Sequence, residues 1–190
     1  MATESTSPLE ERLHERLEKV LFSQEEIRDR VIQMGEAITR EYSGEPLTVV
    51  MILQGGALFM ADLIREIQLP LKADSVSVES YEGTESSGTV TFLQNRMPNL
   101  DGRHVILLDD ILDTGRTLAA IRQKFEKECN PLSVKIAVLL SKKVDRAEFV
   151  EADYIGFEVG NEFVVGYGLD FNGEYRNLPL IGVLKPEYIR

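Results

Sequence analysis

The chain has 190 residues, 43% hydrophobic and 28% charged, with 32 Asp plus Glu against 21 Lys plus Arg for a net charge of −11. That is the size of one domain with enough apolar content for a core, and the acidic balance argues against a broad basic surface for nucleic acid or anionic lipid. The single cysteine, Cys129, excludes an intrachain disulfide framework and a thiolate zinc cluster.

The polar start, Met1 to Pro8, lacks the cationic and apolar blocks of a secretory signal. The longest apolar runs, such as Val49–Leu53, fall far short of the about 20 residues that span a bilayer. The expectation is a soluble cytoplasmic protein with neither membrane nor nucleic-acid partner, folded as one domain over 1–190.

Residues 1–45 hold 11 acids and 6 bases, nearly half of the net charge. Two helix starts of capping-box form are legible there, Ser7-Pro8-Leu9-Glu10 and Ser23-Gln24-Glu25-Glu26. Ile27, Val31, Met34, Ile38 and Tyr42 then recur at helical spacing, a stripe facing a core, with the carboxylates on a solvated face. Gly44 and Pro46 end that helix. Leu47–Leu53 reads as a strand covered on both faces, Gln54-Gly55-Gly56 breaks it, and Ala57–Ile67 has helical periodicity. Ser75–Tyr81 alternates as a strand, Glu82–Gly88 is a loop, and Thr89–Leu93 is another short strand. His104–Leu108 is a buried strand, Thr117–Glu128 an amphipathic helix and Ser133–Leu140 a strand again. Strands alternating with helices predict an α/β fold around a parallel sheet. Residues 141–190, with short strand-like pieces among glycines and prolines, read as an appended lobe.

The most informative stretch is Val105–Leu118, in which a buried strand runs into Asp109-Asp110-Ile111-Leu112-Asp113 and then Thr114-Gly115-Arg116-Thr117 at a helix start. Open parallel sheets bind ligands beyond the carboxyl ends of their strands. Free N–H groups at a helix start, with two hydroxyls, form an anion cradle, and Gly115 permits a left-handed turn. Asp109 and Asp110 repel phosphate but suit ribose hydroxyls or a hard cation such as magnesium. Residue by residue, a plainer reading stands beside this one: Asp113 caps the helix and the other two acids belong to a polar loop.

Together these residues resemble the phosphoribosyl-diphosphate signature of type I phosphoribosyltransferases, and the chain from about Leu47 to Arg176 resembles the hypoxanthine-guanine branch of that family. The resemblance implies an α/β fold, a parallel sheet with helices on both faces and a small C-terminal hood. It implies Mg2+-dependent transfer of 5-phosphoribosyl from its 1-diphosphate to a 6-oxopurine, hypoxanthine or guanine, by a homodimer or homotetramer. In that family, Thr114, Gly115, Arg116 and Thr117 hold the 5′-phosphate. Asp109 and Asp110 engage the ribose hydroxyls or magnesium, and Asp113 exchanges a proton with the purine ring.

Further matches follow on the same ground. Lys142 aligns with a lysine that donates to the 6-oxo group; an ammonium has no acceptor capacity, which points away from adenine. Phe163 aligns with the aromatic that stacks on the base, Val164 with its backbone partner, Asp170 with a second metal ligand and Arg176 with a pyrophosphate contact. Taken without the family, Lys142 is a surface charge, Phe163–Val165 a small core strand and Arg176 a loop cation. Ser80 and Tyr81 sit at the family's closing lid, whose value would be to keep water from an electron-deficient ribose carbon. Gln54 and Gly55 occupy the pyrophosphate loop, where many relatives have lysine in place of Gln54. The uncharged side chain leaves pyrophosphate to backbone N–H groups, magnesium and Arg176. The family's non-proline cis peptide is expected between Leu53 and Gln54.

Two other classes compete. An RNA-binding attenuator on the same fold also carries an Asp-Asp…Thr-Gly-x-Thr loop, but the charge of −11 disfavours it. A phospho-acceptor domain clusters acids at strand ends too, yet draws them from separate strands and has no use for Thr114–Thr117.

Overall fold

The computed structural model describes residues 15–80, 90–94, 96–144 and 150–189, with only the backbone of Glu79 and Ser80. Its strands are β1 (Leu17–Phe22), β2 (Leu47–Leu53), β3 (Leu71–Ser80), β4 (Val90–Phe92), β5 (His104–Leu112), β6 (Ser133–Lys142), β7 (Tyr154–Val159), β8 (Val164–Val165) and β9 (Ile181–Leu184). The α-helices are α1 (Gln24–Glu41), α2 (Ala57–Glu66) and α3 (Arg116–Glu128).

The main sheet has the order β4-β3-β2-β5-β6-β7. All its pairings are parallel except β3 with β4. Alternation along the strands sorts side chains between two faces. Leu47, Val49, Ile106, Leu108, Ala137 and Leu139 pack with Ile27, Val31, Met34 and Ile38 of α1 and with Phe59, Met60 and Leu63 of α2. Val50, Ile52, Val105, Leu107, Ile136 and Val138 pack with Leu118, Ile121 and Phe125 of α3. The expected sheet with helices on both faces is present.

The capping box at Ser23 and Glu26 forms in full, each side chain bonding the other residue's backbone N–H. Gly35 on α1 lies directly against α2: a Cβ there would sit 2.5 Å from the Cβ of Glu66 and 2.8 Å from its carbonyl carbon. Thr39 locks the same crossing, its hydroxyl donating to the Gly35 carbonyl and accepting from the Gln68 N–H.

Three expectations need correction. The N-terminal region is not all helix: β1 is a strand, paired antiparallel with β9, and the expected first helix begins outside the described residues. Leu17-Glu18-Lys19-Val20 satisfies its backbone on β9 while Leu17 fills a small core. Residues 141–190 are not simply appended, because β7 extends the main sheet alongside β6. Only β8 and β9, with β1, form the separate three-stranded antiparallel sheet. Finally, β5 runs on to Leu112, so Asp109 and Asp110 lie within the strand rather than in a turn after it.

Gly35→Ala is expected to push α1 from α2 and lower stability by about 1–3 kcal/mol, the range for overpacking a tight contact. Urea denaturation checks this; an unchanged midpoint would mean that the two helices are not held at this crossing.

Candidate active site

The site is assembled at the carboxyl ends of β2, β5 and β6, where the parallel strands release their loops. Gly115 caps α3 at φ 78°, a left-handed conformation open to glycine at little cost, and its carbonyl accepts the Ala119 N–H at 2.9 Å. The helix therefore begins directly behind Thr114. A pocket of about 200 Å³ lies there, lined by Asp109, Asp113, Thr114, Gly115 and Thr117 with Ile111, Leu112 and Leu118. Arg116 is exposed and is not part of that lining.

Asp110 is 8% exposed, and its N–H donates to Asp109 Oδ1 at 3.0 Å. Burial pushes the Asp109 carboxyl well up from its ordinary range, and the neighbouring Asp110 charge adds to that. Burial also raises Asp110, opposed by the hydrogen bond from Asp109 and by the Arg176 charge. Two adjacent carboxylates with too little compensating positive charge fit a hard cation. Among the described residues, no cluster of three or more Asp, Glu, His or Cys could hold a metal by itself. Any ion here must complete its shell with water and substrate oxygens, which is the habit of Mg2+.

The second wall is the loop after β2. The Leu53–Gln54 peptide is cis, as expected, and the Gln54 carbonyl accepts the Ala57 N–H at 3.2 Å as α2 begins. Gly55 lies so close to β5 that a Cβ would overlap Asp110 Oδ2. On its other side, a Cβ at Gly168 would run into the Gly55 carbonyl oxygen. The loop is thus clamped between β5 and the segment 166–168, whose three residues all have positive φ. Tyr167, buried in that segment, donates its hydroxyl to Asp62 of α2. Burial first, and then that carboxylate, raises the Tyr167 hydroxyl and keeps it protonated as the donor.

Lys142, at the end of β6, reaches Asp113 at 2.7 Å. The ammonium side chain is 13% exposed and the carboxylate 44%, so a donor and a proton acceptor stand together at the rim of the pocket. Phe163 is 39% exposed and Val164 is buried in β8. Arg176 donates to the Gly168 carbonyl at 2.5 Å and pairs with Asp170 at 2.7 Å. Asp170 also accepts the Gly173 N–H at 2.8 Å, so both of its oxygens have partners within the chain. Ser80 ends β3 and Tyr81 lies outside the described residues, so the lid expectation stays with the sequence.

The comparisons agree with this architecture. The phosphoribosyl transferase domain family matches residues 21–172. The chain belongs to the phosphoribosyltransferase family, in its hypoxanthine-guanine branch. It is 45% identical over 176 residues to a hypoxanthine-guanine phosphoribosyltransferase of Streptococcus thermophilus, covering 92% of this chain and 97% of that one. A hypoxanthine phosphoribosyltransferase structure from Staphylococcus aureus superposes with a TM-score of 0.88 at 41% identity, covering 93% and 96%. One from Trypanosoma cruzi gives 0.86 at 36% identity, covering 91% and 94%.

Sequence reasoning missed the Asp62–Tyr167 contact. Asp62 and Tyr167 are separated by 105 positions, and no local pattern joins them. The glycines flanking Tyr167 were the only signal.

Gly55→Ala should drive the Asp110 carboxylate from its place and lower stability by about 1–3 kcal/mol, read by urea denaturation. An unchanged midpoint would show that β5 and the loop can part freely.

Proposed function

We propose that the chain works in purine salvage, transferring 5-phosphoribosyl from 5-phosphoribosyl 1-diphosphate to N9 of hypoxanthine or guanine, with IMP or GMP and pyrophosphate as products. The observation that carries the assignment is the Lys142–Asp113 pair, set beside the Thr114–Thr117 helix start. A donor for a 6-oxo group and an acceptor for a ring proton adjoin a phosphate cradle.

The free backbone N–H groups at the start of α3, with the Thr114 and Thr117 hydroxyls, hold the 5′-phosphate, and Arg116 adds charge from outside. Asp109 and Asp110 face the ribose hydroxyls. Backbone groups of Gln54 and Gly55, with Arg176, receive the pyrophosphate. Lys142 donates to the purine 6-oxo oxygen, so base binding exchanges its bond to Asp113 for one to substrate. Phe163 stacks on the purine, Val164 meets its edge, and Asp113 takes the ring proton as N9 bonds to the anomeric carbon and the bond to pyrophosphate breaks. The acceleration is chiefly positioning and electrostatics.

Magnesium, held by Asp109 and Asp110 and completed by substrate oxygens, would supply charge neutralisation for the leaving group. Asp170 belongs to the proposed metal set as well and would offer the ion the carboxylate that now pairs with Arg176 and the Gly173 N–H. Closure by Ser80 and Tyr81, homodimer or homotetramer assembly and a cytoplasmic location are parts of the same proposal. No described helix is long and apolar enough to cross a membrane.

Incubation with the phosphoribosyl donor, Mg2+ and in turn hypoxanthine, guanine, xanthine, adenine or uracil tests the assignment. Turnover is expected with hypoxanthine or guanine and not with adenine; none with any 6-oxopurine would overturn it. Asp113→Ala should lower kcat by about 100-fold or more, the scale of a lost acid–base group. A rate near that of the unaltered chain would remove Asp113 from the chemistry.

A further inference from the structure

Phe163 has an exposed ring, and a stacking platform works best when its ring is fixed before the ligand arrives, because immobilising a side chain on binding costs affinity. Its one aromatic neighbour among the described residues is Phe171. The two ring centroids are 5.5 Å apart with planes at 87°, the edge-to-face arrangement that aromatic quadrupoles favour. A perpendicular neighbour leaves a face of Phe163 open, in keeping with its exposure.

Phe171 is itself held from behind. It packs against a small core of Leu17, Val165, Tyr175, Leu178 and Leu184, to which β1 contributes Leu17. Its backbone is fixed in a tight turn, exchanging hydrogen bonds with Glu174 at 3.2 and 3.0 Å. The Asp170–Gly173 bond and the Asp170–Arg176 ion pair close that turn.

We infer that Phe171 is a positioning residue for purine recognition, holding the Phe163 ring edge-to-face so that its open face is preset for the base. The inference rests on the proposed purine site and adds a residue to it. The N-terminal strand gains a function from it, because β1 completes the core on which Phe171 rests and pairs with β9, the neighbour of β8.

Steady-state kinetics of Phe171→Ala, Phe171→Leu and Phe171→Tyr separate this role from filling space. Phe171→Ala and Phe171→Leu are both expected to raise KM for hypoxanthine about three- to tenfold, the factor that corresponds to an aromatic pair. Neither should change kcat or KM for the phosphoribosyl donor. Phe171→Tyr, which keeps the ring, should restore the purine KM. Leucine behaving like phenylalanine would reduce Phe171 to packing and overturn the inference, as would equal losses for donor and purine. An unaltered chain that turns over no purine would instead overturn the enzymatic proposal, and this inference with it.

Discussion

Two neighbouring carboxylates at the mouth of β5, Asp110 buried and Asp109 half-buried against the pocket, set the terms for the rest of the site. Asp109 and Asp110 are raised chiefly by burial, so the fold bears a cost there that a structural core would avoid. The surroundings meet that cost only in part, through the Asp110 N–H and the charge of Arg176. Around this pair the other walls close by backbone contact. Gly55 can approach Asp110 only because it lacks a side chain, and Gly168 can approach Gly55 for the same reason. The result is a compact junction of β5, the loop before α2 and the segment before Asp170, in which positive charge and donors are local. The net charge of −11 therefore describes the surface, whereas the site has its own balance of Lys142, Arg176 and helix-start N–H groups.

The side of Lys142 and Phe163 is built by different means. The parallel sheet brings Lys142 to Asp113 through adjacent strands β5 and β6. The hood comes from the small antiparallel sheet, in which β8 pairs with β9 and β9 with β1. The chain's acidic N-terminal region thus has a structural share in the hood. Lys19 reinforces it with an ion pair to Glu162, beside Phe163, at 3.3 Å.

Much of this was legible in the sequence because the signals are local. Leu47–Leu53 and Ser133–Leu140 are apolar runs buried on both faces, and α1 and α3 carry periodic stripes with clear starts. The Asp109–Thr117 stretch combines residue types that few other functions would require together. What stayed hidden depends on distant partners. Leu17–Phe22 sits amid acids and looks helical until β9 supplies its hydrogen bonds. The turn from apolar to acidic residues at Asp109 looks like the end of a strand, although β6 keeps pairing as far as Leu112 with Ser141. Phe163 and Phe171 look like unrelated apolar residues of a lobe, and only the fold of the intervening glycines makes them meet.

A second pocket, about 250 Å³ and lined by Gln24, Arg28, Arg65 and Tyr167 among others, lies between α1 and α2. Its two guanidinium groups lie among the Asp62 and Glu66 carboxylates, and Arg65 is already paired with Asp62, whereas the pocket at Thr114–Thr117 presents a helix start with two threonines. The most direct measurement is a crystal structure with the phosphoribosyl donor, Mg2+ and 9-deazahypoxanthine, whose carbon at position 9 cannot take the ordinary N-glycosidic bond. The account predicts the 5′-phosphate on the Thr114–Thr117 loop, the ribose against Asp109 and Asp110, and the purine stacked on Phe163 with its 6-oxo group on Lys142. A donor bound between α1 and α2, or a purine remote from Lys142, would contradict it.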